Sequence, residues 1–155
     1  AGEGFPTHKE PPPQGGRNRR FQMTSGHNRW SIHSMNMTNN VILNTHRGEP
    51  FAFLNDRDAA ALGIANGDKV RVTSNAGSML IQAKLTPSCR PGQVIVYNGF
   101  EPYMHEGWNS QSDVEPGHIK PLGLVGNYGQ LKYRIFSWQP IPADRAVRVD
   151  VEKVH

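Results

Sequence analysis

Short runs in which apolar and polar residues alternate, each bounded by turn residues, constrain the fold of this chain most strongly. Residues 146–154 alternate almost perfectly, and residues 69–73 do so after the turn residues Asn66, Gly67 and Asp68. A period of two places the apolar side chains on one face of a β-strand. Further strands are predicted at residues 21–24, 50–54, 78–85 and 93–97. The sequence therefore predicts a mainly β domain, in which the long strand at 78–85 can bend across a barrel.

One short helix is predicted between the strands at 50–54 and 69–73. Asn55 or Asp56 can cap its amino end, because a side-chain oxygen there accepts hydrogen bonds from free backbone N–H groups. Residues 59–62 are three alanines and a leucine, and Gly63 can adopt the left-handed conformation that ends a helix. Helix is therefore a minor part of the predicted fold.

Length and composition fit one domain with a real core and argue against several functional classes. The chain has 155 residues, a formal net charge of +4 and a single cysteine, Cys89, which excludes an internal disulfide. It contains no apolar run of about eighteen residues, so no direct membrane insertion is expected. Arg17, Arg19 and Arg20 form a basic cluster that lacks the interleaved aromatic residues of a single-strand binder. No nucleic-acid partner is therefore expected.

Residues 1–20 differ in composition from the rest of the chain and are predicted to form an extended arm or linker. Their three consecutive prolines favour a polyproline conformation. Because the chain does not begin with methionine, we expect it to be part of a larger subunit, with the arm along a preceding domain. Residues 21–155 are predicted to form the barrel domain. Within it, residues 98–117 are predicted to be an irregular surface insertion or a partner-facing loop, and His105 and His118 are predicted to be solvated loop residues.

A polar segment at residues 24–39 has too few apolar positions for an ordinary strand or helix. It contains His27 and His33, Arg29, several hydroxyl groups and several amides, and it is predicted to be a ligand-binding loop. No cysteine, aspartate or glutamate accompanies the histidines, so no metal site is predicted. No Gly-x-Ser-x-Gly motif supports a catalytic triad. The residues alone leave open that the histidines merely satisfy local backbone groups.

A second polar segment at residues 120–133 could also contact a ligand. Its three glycines, at 123, 126 and 129, permit close backbone approach, and Asn127 and Gln130 offer paired donors and acceptors. These amides suit the edge of a guanine or pterin ring. A tight structural turn is the alternative interpretation of the same residues.

The segment Ser-Gly-His-Asn-Arg-Trp-Ser-Ile-His-Ser at residues 25–34 resembles the one that opens the C-terminal domain of large subunits in the dimethyl sulfoxide reductase family. The resemblance is to the branch of nitrate reductase, ethylbenzene dehydrogenase, dimethylsulfide dehydrogenase and selenate or chlorate reductases. It extends from residue 21 to about 154 and includes residues 44–50 and the second polar segment. In that family the domain is a double-psi β-barrel related to aspartate decarboxylase, and Gly67-Asp68 resembles its Gly-Asp box.

The resemblance implies that the chain binds bis(molybdopterin guanine dinucleotide) with molybdenum or tungsten. It carries the family's paired pterin-contacting histidines onto His27 and His33. From their chemistry and approximate position, and not from a residue-by-residue match, Arg29 is expected to oppose a phosphate and Asn127 or Gln130 to contact guanine. No catalytic residue and no metal ligand are expected in this chain. The full set of expected cofactor-binding residues is His27, Asn28, Arg29, Trp30, His33, Ser34, Asn39, Asn127, Tyr128 and Gln130.

The expected function is therefore part of the catalytic subunit of an oxidoreductase, and the chain alone is not expected to be catalytic. The resemblance implies the remainder of the large subunit, an iron-sulfur beta subunit and a haem b gamma subunit as partners, with iron-sulfur clusters outside this chain. It also implies electron transfer in anaerobic respiration, at a periplasmic or membrane-associated location reached through the partners. One alternative is a stand-alone double-psi barrel that serves protein interaction. Another is a self-processing enzyme cleaved at Gly77-Ser78.

Overall fold

The computed structural model describes residues 18–29, 35–36, 38–115 and 147–154, and within them six strands close into a barrel. Around the barrel the strands follow the order β1, β5, β2, β4, β3, β6, with β6 next to β1. The mainly β barrel predicted from the sequence is thereby confirmed, while residues 1–17 of the arm predicted at residues 1–20 lie outside the described residues. The strands are β1 Phe21–Gly26, β2 Phe51–Leu54, β3 Lys69–Thr73, β4 Ser78–Leu85, β5 Gln93–Tyr97 and β6 Val147–Lys153.

Two parallel pairs define the topology, which is that expected of a double-psi barrel. Strand β1 runs parallel to β5, and β2 runs parallel to β4. Because β2 is antiparallel to β5, the carboxyl ends of the two parallel pairs lie at opposite ends of the barrel. Strand β1 continues beyond the predicted end at Thr24 through Ser25 and Gly26, which the sequence placed in the ligand loop. The difference arises because β5 supplies a parallel partner for each of these residues, a pairing that the polar composition of the segment does not indicate.

The inward-facing positions of the strands form one apolar core. Alternate residues of β3 and β6 are buried, as the period of two in the sequence predicts. Burying a valine or leucine side chain fully contributes about 1.5–3 kcal/mol, so this core is the main source of stability. The largest fully buried side chains are Phe21, Met23, Leu54, Met79, Val70, Val72, Val94, Val96, Val114, Val147 and Val149.

The helices are short and lie between the strands. Helix α1 spans Asn40–Ile42 and continues as a π-helical turn at Leu43–Arg47. The predicted short helix is present as α2, Asp56–Ala61, with Asn55 as its amino-terminal cap. Helix α3, Gln111–Val114, follows two 3-10 turns at Pro102–Met104 and Glu106–Trp108. None of the helices in the described part of the chain is long and apolar enough to cross a membrane.

The Gly67-Asp68 turn connects three strands of the barrel. The Gly67 N–H donates to the carbonyl of Ala83 at 2.8 Å, and the Ala83 N–H donates to the carbonyl of Asp68 at 2.8 Å. The Asp68 carboxylate also lies 2.7 Å from Nζ of Lys153 at the end of β6. Gly67 has a φ of +87°, a conformation that glycine adopts readily. The turn therefore fixes the start of β3 relative to β4 and β6.

Candidate functional site

The polar segment that begins in β1 leaves the barrel where the parallel strands β1 and β5 both end. Gly26 pairs with Tyr97, and the Asn98 N–H donates to the carbonyl of Gly26 at 3.0 Å. His27 and the residues after it therefore start from this rim. Parallel pairing thus brings two chain segments that are distant in sequence to one polar edge of the barrel.

Helix α3 packs beside this rim and is connected to β1 through side chains. The Ser25 hydroxyl donates to Oε1 of Glu115 at 3.1 Å, and Nε2 of Gln111 lies within hydrogen-bond distance of both Ser25 and Glu115. The α3 backbone also approaches Gly77 closely, since a Cβ there would lie 2.7 Å from the carbonyl oxygen of Asp113. These contacts fix α3 over the end of β1.

A cavity of about 240 Å³ lies between α3 and the ends of β1 and β5. We call it the rim cavity. Its lining provides hydroxyl, amide, carboxylate and imidazole groups, which can donate to and accept from a heteroatom-rich ligand. The residues that define it here are Ser25, Tyr97, Asn98, His105, Gln111 and Glu115.

His105 lies in the wall of the rim cavity and is 6% exposed, so the prediction that it is a solvated loop residue is wrong. The reason is that residues 98–115 are not one irregular loop: α3 begins with a capping box between Ser110 and Asp113, and its Val114 is fully buried. Burial lowers the pKa of the His105 imidazole below its ordinary value of 6.5, against the opposing effects of Asp113 and of the Leu80 backbone. Burial therefore favours the neutral form of the ring.

The aromatic ring of Tyr97 is held between β1 and β2 at the same rim. It contacts the ring of Phe53 edge to face, with the centroids 5.1 Å apart and an interplanar angle of 69°. On its other side the ring lies against Gly26, which has no side chain to displace it. The rim cavity thus has a fixed aromatic wall.

Among the ten residues expected to bind the cofactor, four lie in the described part of the chain. His27 and Arg29 are exposed and Asn28 is half-buried, all directly after β1. Asn39 lies farther along, where its side-chain oxygen accepts from the N–H groups of Val41 and Ile42 and caps α1. The other six lie outside the described residues: Trp30, His33, Ser34, Asn127, Tyr128 and Gln130.

Residues outside the ten that were expected to bind the cofactor complete the rim, although Ser25 lies within the predicted ligand-binding loop. Ser25, Tyr97, Gln111 and Glu115 come from three separate elements, so no local motif could reveal them together. Over residues 18–29, 35–36, 38–115 and 147–154, no cluster of three or more His, Cys, Asp or Glu side chains could hold a metal ion. The groups that line the rim cavity can form hydrogen bonds, and the ring of Tyr97 can stack against a ligand.

Comparison with known proteins finds relatives in the same family that the segment at residues 25–34 resembles. The dimethylsulfide dehydrogenase subunit alpha of Rhodovulum sulfidophilum is 34% identical over 128 residues, which is 83% of this chain and 14% of the relative. The respiratory nitrate reductase subunit alpha of Haloferax mediterranei is 33% identical over 156 residues, 98% of this chain and 16% of the relative. The chlorate reductase subunit alpha of Ideonella dechloratans is 33% identical over 133 residues, 86% of this chain and 15% of the relative.

The chain therefore spans 14% to 16% of the length of these alpha subunits. The predicted resemblance to large subunits of the dimethyl sulfoxide reductase family is confirmed by these relatives. A family model described as the molydopterin dinucleotide binding domain matches residues 21–123, which include β1 to β5, α3 and every residue of the rim cavity. The expectation of a molybdopterin dinucleotide as the cofactor is confirmed as well. This chain belongs to the molydopterin dinucleotide binding domain family.

Proposed function

We propose that this chain holds bis(molybdopterin guanine dinucleotide) as one part of the catalytic alpha subunit of a molybdenum or tungsten oxidoreductase. The observation that carries the proposal is that the family match at residues 21–123 contains the complete rim cavity. When bound, the metal and its pterins supply the oxidation and reduction. The residues of this chain bind and orient the cofactor.

The variety of the relatives supports a role in cofactor binding and not in substrate choice. The relatives are named for dimethylsulfide, nitrate and chlorate, yet each is 33% or 34% identical to this chain. Because similar domains occur in enzymes that are named for three different substrates, the role of the domain is best explained by a component that the three enzymes have in common. We infer that this common element is the cofactor.

The chemistry of the rim fits the ring systems of a molybdopterin dinucleotide. Guanine and pterin both present ring N–H, amino and carbonyl groups, and the rim offers the carboxylate of Glu115 with the amides of Asn98 and Gln111 as partners. Arg29 follows β1 on the exposed side, where its guanidinium can oppose a phosphate. His27, in the same segment, is proposed to hydrogen-bond a pterin nitrogen or oxygen. These roles need no metal ligand from this chain.

The remaining cofactor contacts are proposed from the sequence. They are Asn28, Trp30, His33, Ser34 and Asn39 in the first polar segment and Asn127, Tyr128 and Gln130 in the second. We propose that residues 1–20 connect the barrel to a preceding domain of the same subunit.

We also propose that the catalytic subunit works with an iron-sulfur beta subunit and a haem b gamma subunit. The support is that the relatives are named as alpha subunits, which implies further subunits in those enzymes. Electron transfer through such partners, at a periplasmic or membrane-associated location, is part of this proposal.

The test is a measurement of cofactor content in the native protein that carries this chain, purified with its natural partners. Molybdenum, tungsten and acid-released guanine nucleotide are quantified per polypeptide, and we expect two guanine nucleotides per metal ion. The variant His27→Ala should reduce both quantities. Arg71→Ala on the outer face of β3, whose side chain pairs only with Glu152 among the described residues, is the matched control and should reduce neither.

A native protein without metal and guanine nucleotide would refute the proposal. The stand-alone interaction module would then be the better explanation of the barrel.

A further inference from the structure

Three arginine side chains surround a second cavity, which lies at the end of the barrel opposite the rim cavity. Its volume is about 400 Å³, and we call it the basic cavity. It lies on the outer face of the barrel, where Gln22 of β1 pairs with Gln93 of β5 on one side and with Arg148 of β6 on the other. Gln22 precedes Gly26 at the rim by four residues, which is roughly 13 Å along a strand. The residues that define the basic cavity here are Arg20, Gln22, Arg90, Gly92, Gln93 and Arg148.

The basic cavity collects positive charge that the described residues do not neutralise. None of the described residues that line it is acidic. Arg90 is exposed and Arg148 is half-buried, and neither guanidinium forms an ion pair with a described residue. Like charges that lie close together repel each other. An anion bound among them would therefore be stabilised.

Two carboxylates lie beside the third arginine, Arg20, and both are held by other groups. Oδ1 of Asp58 lies 3.6 Å from Nη2 of Arg20, while its Oδ2 accepts from the Gly92 N–H at 2.6 Å. The Asp150 carboxylate accepts from the Arg20 N–H at 3.0 Å and from Nη1 of Arg19 at 2.9 Å. The Arg20 side chain is still 47% exposed, so its guanidinium can contact a further anion in the cavity.

The rest of the lining indicates what kind of anion this is. A guanidinium can donate two parallel hydrogen bonds to a carboxylate or to a phosphate. The described lining offers no aromatic ring on which a nucleotide base could stack, but it offers the amides of Gln22 and Gln93. Because Nε2 of Gln93 donates to the Thr24 hydroxyl at 3.0 Å, the amide oxygen of Gln93 is the group left to accept from a peptide N–H. Carboxylates and peptide groups occur together in an acidic polypeptide segment.

We propose that the basic cavity is a docking surface for an acidic segment of a second polypeptide, whose carboxylates bind Arg90 and Arg148. The volume of about 400 Å³ lies within the roughly 300–1,000 Å³ of cavities that accept several chemical groups at once. The inference rests on the proposed function only in that the second polypeptide is sought among the subunits that accompany the catalytic chain. Cofactor and partner would then bind at opposite ends of the barrel.

The test is the salt dependence of partner release from the native complex. The complex is immobilised through the subunit that carries this chain and washed with NaCl at increasing concentration, and the retained partner subunits are quantified. In the double variant Arg90→Gln, Arg148→Gln, the affinity for one partner at low salt should fall by about three- to thirtyfold, the effect of two exposed ion pairs. The affinity should also depend less steeply on salt concentration, because fewer ion pairs are left to be screened.

The matched control is the double variant Arg71→Gln, Lys84→Gln. It removes two exposed positive charges from β3 and β4, and neither residue lines the basic cavity. Its partner affinity and salt dependence should equal those of wild type. The double variant Arg90→Lys, Arg148→Lys keeps the charges and loses the planar guanidinium groups, so it should recover part of the affinity that the glutamine variant loses.

Partner release that is the same in wild type and in the glutamine variant would overturn the inference, and so would an equal change in the matched control. Loss of guanine nucleotide and metal with every partner retained would also overturn it, because the basic cavity would then bind phosphates of the cofactor. A catalytic subunit that purifies at low salt without a partner would do the same. A wild-type complex that lacks the cofactor refutes the proposed function, whereas the comparison of partner release still decides this inference.

Discussion

The ring of Tyr97 occupies the space that a side chain at Gly26 would need. A Cβ at Gly26 would lie 2.7 Å from Cε1 and 2.8 Å from Cδ1 of Tyr97, closer than real Cβ atoms approach other atoms. Since Tyr97 is also in contact with Phe53, its ring has little freedom to move away. The last residue of β1 is therefore linked sterically to the aromatic wall of the rim cavity.

We expect Gly26→Ala to destabilise the protein by about 1–3 kcal/mol, the usual cost of forcing atoms into a packed site. The shifted Tyr97 ring should also reduce cofactor retention. Thermal unfolding of the purified protein and quantification of bound guanine nucleotide test both effects.

The double variant Gly26→Ala, Tyr97→Leu is the control for this explanation. Because the smaller side chain vacates the space, Gly26→Ala should cost less in the Tyr97→Leu background than in wild type. Additive effects of the two substitutions would contradict the steric explanation.

A second prediction concerns Asn55, which is 6% exposed and uses both ends of its amide. Its Oδ1 accepts from the Arg57 N–H at 2.9 Å and caps α2, and its Nδ2 donates to the Cys89 carbonyl at 2.7 Å. Asn55→Ala should lower the free energy of unfolding by about 2 kcal/mol, since losing a cap costs about 0.5–2 kcal/mol and a buried unpaired carbonyl about 1–3 kcal/mol. Denaturant titration followed by circular dichroism measures this value. Asn55→Asp keeps the cap acceptor and should be less damaging; equal losses for the two variants would disagree with this assignment.

A third prediction concerns Cys89, which is 2% exposed and lies where its thiol can donate to the Gln93 carbonyl at 3.3 Å. Burial raises the pKa of this thiol, and the nearby Asp58 carboxylate raises it further. Because the thiolate is the reactive form, the native protein at pH 8 should react with an aromatic disulfide reagent far more slowly than the protein unfolded in guanidinium. Comparable rates in the two states would show that Cys89 is accessible.

The fourth prediction is a pH dependence of stability that originates at His105. Its folded-state pKa is lowered from 6.5 by burial, so the unfolded chain binds the proton more readily. The contribution of His105 to the free energy of unfolding is therefore fully present above about pH 6.5. It is lost as the pH falls through the lowered pKa that His105 has in the folded state. The charged groups near the ring are Asp113 of α3 and Glu115, which follows α3 and lines the rim cavity with His105. Across an adjoining cavity they are Glu49, Lys69 and Glu106.

Thermal unfolding of wild type and His105→Phe at several pH values below and above 6.5 isolates this contribution from the other six histidines. The difference between the two proteins should change with pH below 6.5 and be constant above it. A difference that does not depend on pH would contradict the prediction.

Local patterns in the sequence were sufficient for most of the barrel. The alternation at residues 69–73 and the run at residues 93–97 predicted β3 and β5 with the bounds that the structure has, because each strand buries one face. The burial of His105 could not be predicted in this way, because it depends on α3 docking onto Gly77 through contacts between distant residues. One local signal was present: Ser110 and Asp113 have the spacing of a capping box directly before the buried Val114.

The closing strand β6 has a consequence for the order in which this protein is made. Phe21 at the start of the barrel pairs with Val149, and the Arg20 N–H donates to the Asp150 carboxylate 130 residues later in the sequence. During translation, β1 therefore emerges long before the strand that covers its free edge. Until Lys153 has been synthesised, the edge of β1 that pairs with β6 has no partner strand, and an unpaired strand edge is a template for aggregation. The pairing that covers this edge of β1 is therefore among the last that synthesis makes available.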